Sequence, residues 1–195
     1  MYKSLVVPIN LPYNNIIWKL KLPLKVKIFM WYLIKGVVLT KDNLAKRQWK
    51  GSLKCCNCNL NESIQHLFFQ CPVARFVWRT EHVSFNIKPP TNIHHIFNGW
   101  LTRVSKKLMY KILVGASSLC WAMWLSRDDV IFNNTRAVTP MQVVYRGTHW
   151  IRFWLLLLKE EERPQIASGC RVLESTVMEI FVSNGWCFSN RIGLG

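Results

Sequence analysis

The chain has 195 residues, room for one large or two small domains; it is 50% hydrophobic with ten tryptophans, which excludes a largely disordered polymer. Twenty-six Lys and Arg stand against ten Asp and Glu, and the excess lies at the front: residues 1–50 carry ten cationic side chains and one acidic, residues 151–195 five of each. A field of that sign attracts polyanions, nucleic acid phosphates first, with a solvated basic face as the plain alternative.

Residues 1–17, with Pro8, Pro12, Asn14 and Asn15, read as an extended lead-in. Their start lacks the apolar core of a secretory signal. Trp18 to Leu22 alternates like a short strand or extended arm, and Pro23 opens a helix as its first residue. From Lys25 to Lys35, Val26, Phe29, Met30, Leu33 and Ile34 fall on one apolar arc. Lys25, Lys27, Trp31, Tyr32 and Lys35 share the other side. Gly36 ends the helix in a left-handed cap, and Thr40 caps a second helix over Lys41 to Gln48.

Cys55, Cys58, His66 and Cys71 then form a candidate zinc site. A structural zinc takes four N or S ligands in a tetrahedron, and a Cys-x2-Cys turn supplies two thiolates from one bend. The other two come from a returning element: Asn61 or Ser63 caps a short helix over Ile64 to Gln70, and Pro72 forces Cys71 out of helical geometry. On a continuous α-helix His66 and Cys71 would stand roughly 140° apart, so the helix must end at Cys71 for them to converge. Cys56 is a bystander, because pairing it with Cys58 leaves only one residue for the chelate turn. Seven cysteines cannot all pair within the chain, which counts against a disulfide framework.

Beyond the site, Val73, Phe76 and Val77 dock a further short helix beside the metal, closing a module over residues 12–82. Residues 83–100, with Pro89 and Pro90, read as a connector, and His94 and His95 as loop residues. Ser105 to Phe132 reads as one long helix or a helix pair. Asn133 to Pro140 breaks it, and Thr139 with Pro140 starts the next, whose apolar positions recur every three or four residues to Leu158. A last helix runs from Cys170 to Ser183, ends at Asn184-Gly185 and leaves a tail from Trp186. The fold expected is mainly α: a small helical zinc-binding module, then a helical hairpin or three-helix segment over residues 101–185. The apolar runs 112–125 and 151–158 fall short of the roughly 18 residues that cross a bilayer, so they read as buried faces of a protein without a membrane partner.

Ile17-Trp18-Lys19, Pro23, Lys25-Val26-Lys27, Phe29, Trp31, Thr40, Leu44, Arg47, Cys55, Cys58, Glu62-Ser63, His66-Leu67-Phe68, Cys71 and Val77-Trp78 together resemble the plant reverse transcriptase zinc-binding domain of non-LTR retrotransposons. Trp121 to Asn133 is similar to the segment that often follows it, with Asp128 where Asn is common. The resemblance implies one structural Zn2+ per chain on Cys55, Cys58, His66 and Cys71. It also implies a piece of a retroelement without its catalytic domains. Asp128-Asp129 reads as a solvated helix end, not as the paired carboxylates of a polymerase.

The function expected is therefore a non-catalytic, retroelement-derived module that binds RNA or single-stranded DNA through Lys19, Lys21, Lys25, Lys27, Lys35, Lys46 and Arg47. Alternatives are a structural or protein-interaction module, formerly beside a reverse transcriptase, in which zinc only stabilises the fold, and a decayed fragment without selected function. A zinc hydrolase is disfavoured because four protein ligands leave no position for water, and Glu62 is better placed to favour a helix start. No small-molecule substrate is implied. Reduced cysteines place the chain in a reducing intracellular compartment, nucleus or cytoplasm.

Overall fold

The computed structural model describes residues 14–133 and 138–183, and their regular elements are helical. The expected lead-in before residue 14, most of the break after Asn133 and the tail beyond Ser183 lie outside the described residues. The first correction falls at the start. Residues 18–22 are not extended: α1 runs Asn14–Lys19, and Ile17 and Leu20, three apart, turn together into the core while Trp18 stays exposed. Pro23 is the cap before α2 (Leu24–Ile34), not its first residue, and all five residues of the expected apolar arc are buried. Gly36 follows at φ +70, the left-handed conformation that ends the helix.

α3 (Lys41–Ala45) stops short of Gln48, where the chain turns through a φ of 66. A helical turn ending in His66–Gln70 leads into α4 (Pro72–Phe85), which begins on its proline. The connector contains a helix of its own, α5 (Ile93–Phe97), so His94 and His95 lie on a helix and not in a loop; the Asn92 side chain caps it by accepting from the His95 amide at 2.8 Å.

α6 (Lys106–Phe132) is one unbroken helix capped by Ser105, and α7 (Pro140–Trp154) opens with a reciprocal pair of bonds between Thr139 and Gln142. α8 (Arg163–Ser183) begins seven residues before the expected Cys170, because Pro164 falls in the first turn, where no backbone N–H is needed.

α7 lies among α4, α6 and α8, and α2 packs on α6. Gly147 permits the closest approach of α6 and α7: a Cβ there would stand 2.8 Å from Leu119 Cδ2. The buried apolar residues form one continuous cluster from Ile17 to Val177, into which Phe29, Phe68 and Trp78 bring the first half of the chain. Among the described residues only α6 is long and apolar enough to cross a membrane, contrary to the expectation from the run 112–125; half of its apolar window is buried against the rest of the protein, as in a core helix.

Three ionisable groups inside this core, Arg127, Glu62 and Glu81, carry large consequences. Arg127 of α6 is 1% exposed and donates through Nε and Nη2 to the equally buried Glu62, the closest contact being 2.8 Å. Asp128 and Asp129 are not a solvated helix end either: Asp128 pairs with Arg127, and Asp129 with Arg146 of α7. Glu81 of α4 is 4% exposed and lines a cavity of about 590 Å³ between α4, α6 and α8, with Oε2 unpartnered; burial pushes its pKa up to about 8.

Removing one partner of a buried pair leaves the other charge uncompensated, so Arg127→Met should cost about 3–5 kcal/mol in urea unfolding, and Glu62→Gln in the same chain should restore much of the loss. A cost below about 1 kcal/mol would show that the pair is not a structural joint. For Glu81 the folded state holds a proton that the unfolded chain releases, so stability falls as pH rises from the ordinary carboxyl range through about 8. Glu81→Gln should therefore gain on the wild type by about 1.4 kcal/mol per pH unit between roughly pH 5.5 and 7, the gain levelling off above about pH 8. Parallel pH profiles for the two proteins would contradict this.

Candidate metal centre

The first half of the centre is a tight backbone loop. Lys54 and Asn61 form an isolated antiparallel bridge, Cys55 N–H donates to Leu60 O at 2.8 Å, and Glu62 N–H donates to Leu53 O at 2.9 Å. Within this loop the Asn57 amide points at Cys55 Sγ, 3.5 Å away, a backbone donor placed to steady a thiolate.

The second half solves the angular problem posed by the sequence. Ser63 Oγ accepts from the His66 amide at 3.1 Å and starts the turn. His66 to Gln70 then widens from α to π geometry, so that Cys71 N–H donates to His66 O, five residues back, at 2.7 Å. In the wider turn residues i and i+5 come nearly above one another, whereas an α-helix would hold them far apart. Convergence is thus achieved by widening the helix as well as ending it. Trp78 Nε1 donates to Phe68 O at 2.7 Å, and its ring stacks on Phe69, which fixes the widened turn against α4.

The structure brings Cys55, Cys58, His66 and Cys71 together: one donor atom from each lies within 4.8 Å of all the others. Cys55 and Cys71 sulfurs are 3.9 Å apart, and Cys58 Sγ is 3.2 Å from His66 Nε2. Tetrahedral zinc with Zn–S near 2.3 Å requires sulfur separations of about 3.8 Å, so the set fits such an ion. Hydrogen bonds from Cys56 and Cys71 draw the Cys55 thiol well below the ordinary thiol range, and those contacts push Cys56 and Cys71 above it.

Cys55, Cys56 and Glu62 make a second close group. It is the poorer chelate: it shares Cys55 with the first, and the Glu62 carboxylate is already committed. Besides Arg127, Glu62 accepts from the Lys41 amide at 2.9 Å, while Lys41 Nζ donates to Lys54 O. Arg127 Nη2 also donates to Leu39 O at 3.2 Å, and the guanidinium lies 4.9 Å from the Trp124 ring centre. The metal loop, the start of α3 and the end of α6 therefore meet at one buried carboxylate. Sequence reasoning missed this joint, assigning Glu62 to a helix start and Arg127 no role. The available signal was Arg127 itself, which continues the buried Leu119–Met123 stripe at intervals of four.

The seven cations selected from the sequence are spread over α1 to α3. Lys19, Lys21, Lys25, Lys46 and Arg47 are exposed, Lys27 and Lys35 half-buried. Lys27 Nζ donates to Trp18 O, Lys46 Nζ to Asn43 Oδ1, and Lys35 lies over the Trp31 ring. Among the described residues none of the seven forms an ion pair. Lys25 and Arg47 are brought to the same groove, which is lined also by Tyr32, Trp121 and Trp124. Trp31 is half-buried against the core beside Tyr32.

Residues 1–78 match the family described as zinc-binding in reverse transcriptase. Over 65 residues the chain is 31% identical to a protein of Arabidopsis thaliana named "Putative ribonuclease H protein"; the match covers 33% of this chain and 10% of that relative's length. No solved structure matches. The four donors that converge between Cys55 and Cys71 lie within the stretch, residues 1–78, that is similar to this zinc-binding family.

Proposed function

We propose that the chain is a non-catalytic, retroelement-derived module that holds one structural Zn2+ on Cys55, Cys58, His66 and Cys71 and binds RNA or single-stranded DNA through its basic N-terminal helices. The observation that carries the metal is the convergence of three sulfurs and one imidazole nitrogen within 4.8 Å. Four protein donors complete a tetrahedron, leaving no position for an activated water, and Glu62, the nearby carboxylate, is occupied by Arg127 and Lys41. The zinc ties the 53–62 loop to the turn before α4. The N-terminal cations without carboxylate partners supply the phosphate contacts.

A second reading, a protein-interaction module in which zinc only stabilises the fold, is favoured by one feature. Phe153 in the last turn of α7 and Leu156 and Leu157 just after it stand exposed, far more open than core residues of the same types.

Native mass spectrometry should find one zinc per chain, lost with a chelator and in Cys71→Ala but retained in Cys56→Ala. Zinc retained in Cys71→Ala would overturn the ligand set. Affinity for a single-stranded oligonucleotide should fall steeply with salt, log K against log salt having a slope on the order of −5 if all seven cations meet phosphates, and Lys19→Ala with Lys21→Ala should flatten it by about 1.4. Binding that ignores salt, or no binding at low ionic strength, would remove the nucleic acid part of the proposal and leave the zinc.

A further inference from the structure

The groove holding Lys25 and Arg47 is a composite of distant parts of the chain. One wall is α2 with Phe29 and Tyr32, the floor is the 37–39 segment, and the other wall is α6 with Trp121 and Trp124. It encloses about 470 Å³, and no carboxylate lines it. Tyr32 is 45% exposed, and Val37 and Leu39 are exposed beside it, so a sizeable aromatic and aliphatic surface is left open to water between two cations. Lys25 Nζ lies 5.9 Å from the Trp121 ring centre and 5.1 Å from that of Trp150, a cation resting on aromatic faces with no acid to hold it.

We propose that this groove takes an unpaired nucleobase, stacked against its aromatic wall while Lys25 and Arg47 engage the flanking phosphates, so that the chain prefers single strands to duplex. The proposal rests on the nucleic acid reading above and adds the place and the selectivity. A base offers a planar apolar face to the exposed ring of Tyr32, and its backbone offers the anions that the rim lacks. In a duplex both faces of each base are already stacked, so only the phosphate term is available there. An apolar peptide would satisfy the rings but leave Lys25 and Arg47 without counter-charges, which is why a nucleic acid is the occupant assigned.

The test separates base from phosphate. Zinc-loaded full chain is titrated by fluorescence anisotropy with a twelve-nucleotide oligothymidylate, with a twelve-unit abasic backbone of the same charge, and with a duplex of the same length, at one salt concentration. Stacking is worth about 1–3 kcal/mol per base, so the thymidylate should bind at least about fivefold more tightly than the abasic strand. Tyr32→Ala, with zinc content and thermal unfolding checked, should bring that ratio close to one while leaving abasic affinity and the salt slope unchanged. Equal affinities in the wild type with a normal salt slope would end the groove proposal and leave nucleic acid binding standing. No binding of any strand at low salt would end both. If a Leu- and Glu-rich amphipathic helical peptide binds, loses affinity in Tyr32→Ala, and the thymidylate ratio is one throughout, the groove belongs to a protein partner and the proposal is overturned.

Discussion

The hydrogen bond from Cys71 N–H to His66 O is the constraint on which the first half of the chain depends. An imidazole and a thiolate separated by five residues do not converge on one metal ion from a continuous α-helical turn, and the chain has no slack between them to form a loop. Inserting one residue into the turn, as a π-helix in effect does, brings them to one side. Such geometry is unfavourable in isolation and persists here because the flanking residues over-determine it: Phe68 and Phe69 are buried, Trp78 holds the Phe68 carbonyl, and Pro72 fixes the exit into α4.

The same site shows why a metal module of this kind needs the helices that follow it. The loop carrying Cys55 and Cys58 is nearly all polar or exposed, with little apolar area of its own to bury. What fixes it is Glu62, which closes the loop through its amide and reaches Arg127 through its carboxylate. Arg127 is held in turn by Asp128, the Leu39 carbonyl and the face of Trp124. A guanidinium suits that position because it remains charged when buried and presents several donors in fixed directions, where an ammonium would satisfy fewer acceptors.

Most of what was legible in the sequence is local. The ligand spacing, the buried arc of α2, Ser105 and the Thr139–Pro140 start of α7 are signals that span fewer than twenty residues, and each appears in the fold at its place. The failures have two origins. At residues 18–22 a five-residue alternation was too short to define a period, and the competing three-residue spacing of Ile17 and Leu20 decided the structure. At Glu62 and Arg127 the partners are 65 residues apart, and neither carries a local mark of burial except that Arg127 lies on a stripe of core residues. The groove was illegible for the same reason: Tyr32 was read beside Trp31, its neighbour in sequence, whereas the structure sets it opposite Trp121 and Trp124 from another helix.

The division of labour among the cations follows from this architecture. Every ion pair among the described residues uses an arginine, Arg127, Arg146 or Arg152, and draws its carboxylate from the 53–62 loop, α6 or α8. The pairs with Glu62, Asp129 and Glu174 join elements, that with Asp128 lies within α6, and their charges cancel inside or at the edge of the core. The N-terminal helices are basic chiefly through lysine, a flexible and strongly hydrated point charge suited to phosphates at varying positions and poorly suited to a buried fork-like pair. Glu62, Asp128, Asp129 and Glu174 therefore neutralise the arginines that build the fold, and among the described residues the seven N-terminal cations are left without ion pairs. Residues 1–50 supply the largest share of the net positive charge, and two of their cations, Lys25 and Arg47, line the aromatic groove.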